Sequence, residues 1–268
     1  MRSDGVAVPT QLIETLLHIG LKSFQNTPKK RDKVPTMHID GFIVLTNISG
    51  RDIRFFIKNP HDVVQSHHAR GEFYEPEELS IISEFFPRGG VFVDIGTNVA
   101  NHTIYVGKFL NPKQVVLFEP NPDAISLLRV NISLNDLTHV VDFSYLGFGL
   151  SDAPGKAFPL IPENNLGATR MIDSENANSL SLVCGDDILQ HRRVDFIKMD
   201  VEGMELRVLH GLKETISRWR PAIFIEIDQE NSEDFEVWVE RNGYMSVRRF
   251  RRYPENENHM IVPVERAV

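Results

Sequence analysis

The stretch Val91–Leu110, VFVDIGTNVANHTIYVGKFL, constrains this chain more than any other. Val91–Val93 is a short apolar run of the kind that makes a buried parallel strand. It ends in an acid, Asp94, followed by a tight turn containing Gly96. Asn98 or Asn101 can then cap a helix carrying Ile104, Tyr105, Phe109 and Leu110. Strand, acid, glycine turn and helix, in that order, build the first wall of a nucleotide pocket in an open α/β sheet.

The remaining chain repeats the alternation. Strand Val115–Glu119 precedes helix Asp123–Leu134, and Val140–Leu146 reads as a third strand. Strand Val194–Met199 leads to helix Gly203–Trp219, and strand Ala222–Ile227 to helix Ser232–Asn242. Tyr244–Phe250 and His259–Val264 suit an antiparallel pair. The expected fold is α/β, a doubly wound, mostly parallel sheet with an antiparallel C-terminal edge. Residues 147–179 read as an insertion with no more than a short hairpin, and Leu180–Cys184 as a further strand. Ahead of the sheet lie an amphipathic helix (Gln11–Phe24), a basic linker (Gln25–Thr36) and a hairpin (Gly41–Lys58). His61–Gly71 reads as a solvated loop and Glu77–Phe86 as a helix. The expected division is an N-terminal extension, 1–70, and a main domain, 71–268.

Composition narrows the partners. A formal net charge of −8 over 268 residues argues against a wide nucleic-acid grip. Arg248, Arg249, Arg251 and Arg252 fall on alternate sides of a strand, which suits salt-bridge partners better than one patch. The single cysteine, Cys184, rules out an internal disulfide framework and fits a reducing compartment. No run approaches a membrane span, and MRSDGVAVPTQ lacks a signal peptide's apolar core. A cytoplasmic location is expected. The N-terminal helix is expected to pack within the molecule or against a second copy, in preference to a membrane surface.

Ligands of such sheets sit beyond the carboxyl ends of the strands. Glu119 ends the second strand, at a spacing from Gly96 close to the ~20 residues that separate a glycine turn from a ribose-binding acid. The row Gly96–Thr97–Asn98–Val99–Ala100 keeps only the first glycine of a dinucleotide site. A pyrophosphate cradle is therefore weakly supported. S-adenosylmethionine, which carries no phosphate, needs one sharp turn and a carboxylate near its amino group, and Asp94 and Gly96 supply those. At the end of the fourth strand, Asp200 and Glu202 straddle a turn at the mouth of the pocket. Their chemistry suits orienting an acceptor or taking its proton. As the lesser reading, they help hold a divalent metal with Glu226 or Asp228, so no metal site is assigned.

DIGTNVANHT, FEPNP and IKMDVEGMELRVLHG, in this order and spacing, resemble the FkbM family of S-adenosylmethionine-dependent methyltransferases, from about Gly71 to about Ile227. The resemblance implies the class I methyltransferase Rossmann-like fold and O-methylation of a sugar, glycoconjugate or polyketide-type hydroxyl. It implies that Asp94 and Gly96 line the methionine end of the cofactor and that Glu119 takes the ribose. Asn98, Asn101 and His102 match the family's row, and Asn121 follows in FEPNP. Ala100 stands where glycine is usual. Glu72, Tyr74 and Glu75 also resemble the family and are expected, with Asn165, on the acceptor side. Glu202 leads the candidates for proton acceptor, then Asp200, then His102. Two alternatives stay open: an NAD-dependent oxidoreductase, and a non-catalytic module that keeps the pocket.

Overall fold

The computed structural model describes residues 40–174, 176 and 179–266. The N-terminal amphipathic helix and basic linker lie outside the described residues. The apolar runs form a seven-stranded sheet. Its members in chain order are Val91–Ile95 (β3), Gln114–Phe118 (β4), Val141–Asp142 (β5), Phe196–Met199 (β10), Ala222–Asp228 (β11), Tyr244–Phe250 (β12) and Asn256–Pro263 (β13). Their spatial order is β12-β13-β11-β10-β3-β4-β5. The strands from β11 to β5 run parallel, and β13 and β12 close the edge antiparallel. This is the expected doubly wound, mostly parallel sheet with an antiparallel C-terminal edge. The chain winds outward from β3 to β5, then returns to β10 beside β3, and that reversal is where such sheets place a ligand.

Alternation along β3 divides the core. Val91, Val93 and Ile95 pack with Phe118, Ile197 and Met199 under helices Glu205–Gly211 (α6) and Ser232–Arg241 (α8). Phe92 faces the other way and stacks on Phe196, with centroids 5.4 Å apart. That face is covered by helix Pro76–Phe85 (α2) and the hairpin Phe42–Ile48 (β1) and Arg51–Ile57 (β2). Ile53, Phe55 and Ile57 of β2 join its core. Among the described residues no helix is long and apolar enough to cross a membrane.

Several local expectations are corrected. The polar stretch 61–71 holds a helix, Val63–Ala69 (α1). Asp62 caps it, accepting from the Gln65 N–H at 3.0 Å. His68 is fully buried and stacks on Phe55 at 4.1 Å. The third strand is only β5, and residues 143–147 turn away. The insertion holds more than a hairpin. Phe148–Ser151 (β6), Gly155–Leu160 (β7), Arg170–Asp173 (β8) and Leu180–Cys184 (β9) form a second sheet, ordered β6-β9-β7-β8. Its Leu150, Ala157 and Leu182 are buried against the main core, and its loop 161–169 reaches over the strand ends. The long helix after β10 is broken into α6 and Lys213–Trp219 (α7). At Gly211 a Cβ would collide with the Ser151 carbonyl, so β6 crosses tight against the break. Neither Asn98 nor Asn101 caps the helix after β3. That helix, Asn101–Tyr105 (α3), is entered from Ala100 in a left-handed conformation, φ 73°, and continues as a π turn, Val106–Leu110.

His68 makes acid stability testable. Burial pushes its pKa down to about 4. The unfolded chain takes up this proton near pH 6.5, so it binds more protons than the folded chain between those values. Stability should therefore fall as pH drops through that window, by about 3 kcal/mol from this residue. Denaturant unfolding across the window should show a flatter pH dependence for His68→Gln. Parallel curves for the two proteins would refute the assignment.

Candidate functional site

Gly96 sits at φ 75° where β3 ends. Its N–H and that of Thr97 donate to the Phe118 carbonyl at 3.0 and 3.2 Å, tying the turn to the end of β4. Glu119 follows directly. One carboxylate oxygen accepts from the Asn98 N–H and the other from the Asn121 N–H, both at 2.8 Å. The carboxylate is thus fixed in orientation, with a further lone pair on each oxygen. Burial pushes its pKa up to about 7, although the Asn121 and Asn98 N–H groups favour the charged form. Beside it opens an apolar slot of about 60 Å³, walled by Phe118, Pro120, Phe148, Leu150, Met171 and Leu182.

A larger cavity of about 340 Å³ adjoins this slot and shares Gly96, Asn98, Gly167, Asp200 and Glu202 with it. Lys198, from the middle of β10, enters its floor almost fully buried. Its ammonium donates to the Gly96 carbonyl at 2.9 Å and lies 3.5 Å from Asp200 and 4.0 Å from Asp94. Burial alone would lower its pKa, but Asp200, Asp94, Glu75 and Glu226 hold it above the usual value. The walls are acidic. Burial, then Asp200 and Glu78, push Glu75 up to about 8. Glu202 and Glu226 are also pushed up, first by burial and then by Asp200. Burial, and then Lys198, push the His102 pKa well below the usual histidine value. Its Nε2 stands 3.5 Å from a Glu75 oxygen and has no hydrogen-bond partner.

The structure gathers most of the expected residues. Tyr74, Glu75, Gly96, Asn98, Asn101, His102, Asn165, Asp200 and Glu202 line the large cavity, and Glu119 lines the slot. Four placements differ from expectation. Glu72 points to solvent and pairs with Arg70 at 3.3 Å, because Gly71 turns the chain before it. Asp94 is fully buried beneath the turn, bonded to the Thr103 hydroxyl. Asn101 spends its amide on protein. Its oxygen accepts from the Tyr74 N–H and bonds His68 Nε2, and its nitrogen donates to the Tyr74 carbonyl. Asn121 caps the helix Pro122–Leu134 (α4) through the Asp123 N–H.

Lys198, Tyr253, Glu255 and Asn256 also line the cavity and were not among the expected site residues, and Glu226, named only in the lesser metal reading, lines it too. Lys198 carried a legible signal, since a lysine inside an apolar strand requires buried carboxylates. Tyr253 comes from the turn before β13 and Asn256 is its first residue, and nothing local in sequence marks them. Tyr253 reaches across to Tyr74, with the hydroxyls 3.2 Å apart. The arginine run is spent on carboxylates: Arg248 on Glu84, Arg249 on Glu236, Arg251 on Glu257, and Arg252 on Glu77 and Glu78. Glu75, Asn98, Ala100 and Glu202 all have positive φ without being glycine. Such strain collects where a fold holds side chains for a task.

Residues 94–252 match the family described as the methyltransferase FkbM domain. Hexuronic acid methyltransferase AglP of Haloferax volcanii is 27% identical over 173 residues, 63% of this chain and 68% of that protein. Methyltransferase sdnD of Sordaria araneosa is 26% identical over 180 residues, covering 51% and 69%. The solved structure of a methyltransferase FkbM from Methylobacillus flagellatus KT aligns with a TM-score of 0.48 at 17% identity. The alignment covers 64% of this chain and 43% of that one.

Proposed function

The chain belongs to the FkbM methyltransferase family, whose domain spans more than half of its residues, and from that premise we propose that it O-methylates a sugar hydroxyl. Its cofactor is S-adenosylmethionine, as for the family. When bound, that cofactor supplies a methyl group on a positively charged sulfur, which is a good leaving group. The residues fit it. The apolar slot beside Glu119 suits an adenosine, with the free lone pairs of that carboxylate taking ribose hydroxyls. The Gly96 turn, held from below by Lys198, leads from the slot into the acidic cavity.

In the cavity the chain has two tasks. It must hold one hydroxyl at attacking distance, and it must take the proton that the hydroxyl loses. Tyr74, Tyr253 and Asn165 offer polar groups and ring faces for a sugar. Glu202 is the proton acceptor we favour, with Asp200 beside it. Glu202 stands at the junction of slot and cavity, which it shares with Gly96. That junction is the observation that carries the proposal. AglP, named for methylation of a hexuronic acid, supports a sugar as the acceptor class.

The test uses labelled S-adenosylmethionine with a panel of glycans and monosaccharides, read by mass spectrometry. Glu202→Gln should lower kcat about 10²–10³-fold while leaving cofactor affinity within a few-fold. A variant that loses cofactor binding and keeps kcat would reverse the assignment. Binding of NAD without either adenosyl compound would favour the oxidoreductase reading. Cofactor binding with no turnover on any acceptor would favour the non-catalytic one.

A further inference from the structure

We propose that Asp200, Glu202 and Glu226 form a divalent-cation site in the acceptor cavity, with the acceptor's hydroxyl as a further ligand. The inference rests on that cavity being the acceptor side of a methyltransferase. One carboxylate oxygen from each residue lies within 4.8 Å of the other two. Two oxygens on opposite sides of one hard cation are separated by at most two metal–oxygen bonds, about 4–5 Å. The three atoms therefore fit within a single coordination sphere. All are carboxylate oxygens, a donor set that suits Mg²⁺, Mn²⁺ or Ca²⁺ rather than a softer metal. The sequence left Glu226 and Asp228 as equal third ligands. The structure separates them, because Asp228 is held by Arg170 at 3.1 Å and Glu226 faces the cavity.

Acidic residues gathered in a pocket do not by themselves make a site, but two orphaned atoms point to a missing occupant. His102 is more than nine-tenths buried and lines the same cavity, yet its Nε2 makes no hydrogen bond and stands 3.5 Å from a Glu75 oxygen. Asn256 donates its amide nitrogen to Glu226 at 2.6 Å, which holds that carboxylate in place. The oxygen of the same amide is buried and makes no hydrogen bond. It is a neutral oxygen donor beside the third ligand.

Charge balance points the same way. Glu75, Asp200, Glu202, Glu226 and Glu255 line the cavity against a single lysine. Lys198 is already committed to the Gly96 carbonyl, Asp94 and Asp200. Arg252, near the mouth, is committed to Glu77 and Glu78. The cofactor brings a sulfonium, an ammonium and a carboxylate, a net charge of +1, and leaves most of the acid uncompensated. A divalent ion fills the gap. It would also let an acceptor that itself carries a carboxylate enter a cavity that otherwise repels it. Each ligand carboxylate needs only one oxygen for the metal, so Glu202 keeps the other for the hydroxyl proton.

The experiment strips the full chain with EDTA and titrates it with MnCl₂, following free Mn²⁺ by electron paramagnetic resonance. One saturable site per chain is expected. Affinity should fall at least tenfold in Glu226→Gln and in Asp200→Asn, with each variant's fold checked by circular dichroism. Asn256→Ala should weaken the site less. No saturable Mn²⁺ binding to the folded wild-type chain would overturn the proposal, as would equal binding by wild type and both carboxylate variants. Calorimetry with S-adenosylmethionine in EDTA is run alongside. Failure there counts against the methyltransferase reading and leaves the Mn²⁺ result to stand on its own.

Discussion

Glu119→Ala is expected to weaken S-adenosylmethionine binding by about 10²–10⁴-fold. Two hydrogen bonds from ribose hydroxyls to a charged acceptor contribute roughly 3–5 kcal/mol, and each 1.4 kcal/mol is a factor of ten. The substitution also removes the acceptor of the Asn98 and Asn121 N–H groups. Those donors hold the glycine turn and the start of α4, so the site loses its shape along with its ligand. Unpaired donors in a buried place cost about 1–3 kcal/mol each. A lower melting temperature should accompany the weaker binding. Glu119→Gln, which keeps one acceptor oxygen, should fall between the two proteins in calorimetry. An unchanged dissociation constant in Glu119→Ala would remove this residue from the cofactor site.

Gly96→Ala should be the most damaging single methyl that can be added to this site. The residue sits at φ 75°, where an alanine costs about 1 kcal/mol or more. Its Cβ would also run into the carbonyl of Asp200, which belongs to the backbone and cannot rotate away. Overpacking of that kind adds roughly 1–3 kcal/mol. The turn and the β10 end would have to separate, and Lys198 would lose its grip on the Gly96 carbonyl. Thermal unfolding should show a drop of roughly 5–15 °C at the usual ratio for a chain of this size. Cofactor affinity should fall with it. A melting temperature within a degree or two of wild type would mean that the two loops can part freely.

The sheet was legible because each central strand is a short apolar run with a helix after it, and because the chain could close it only at the C-terminal edge. The juxtaposition of Gly96 and Glu119 was legible for the same reason, since both sit at strand ends and the residues near them in sequence are near them in space. What could not be read depends on long-range partners. Asn101 read as a helix cap or a cofactor contact, and nothing local shows that it clasps the Tyr74 peptide. His67 and His68 looked like solvated neighbours, yet Phe55 supplies a ring for His68 alone. The second sheet was hidden by short strands in a stretch rich in turn residues. Tyr253 and Asn256 reach the cavity through the pairing of β13 with β11, a contact between distant parts of the chain.

The hydroxyl contact between Tyr74 and Tyr253 joins residues 179 positions apart. The Gly96 turn and Glu119 sit close together in the chain by comparison. The two halves of the site can therefore be changed separately. Substitutions and length changes in the β12–β13 turn, or in loop 161–169, can redraw the acceptor's entrance while the 94–121 segment stays as it is. One cofactor site can so be carried from acceptor to acceptor across a lineage. A chimera that exchanges residues 250–256 with those of a relative is the natural way to move specificity without rebuilding the enzyme.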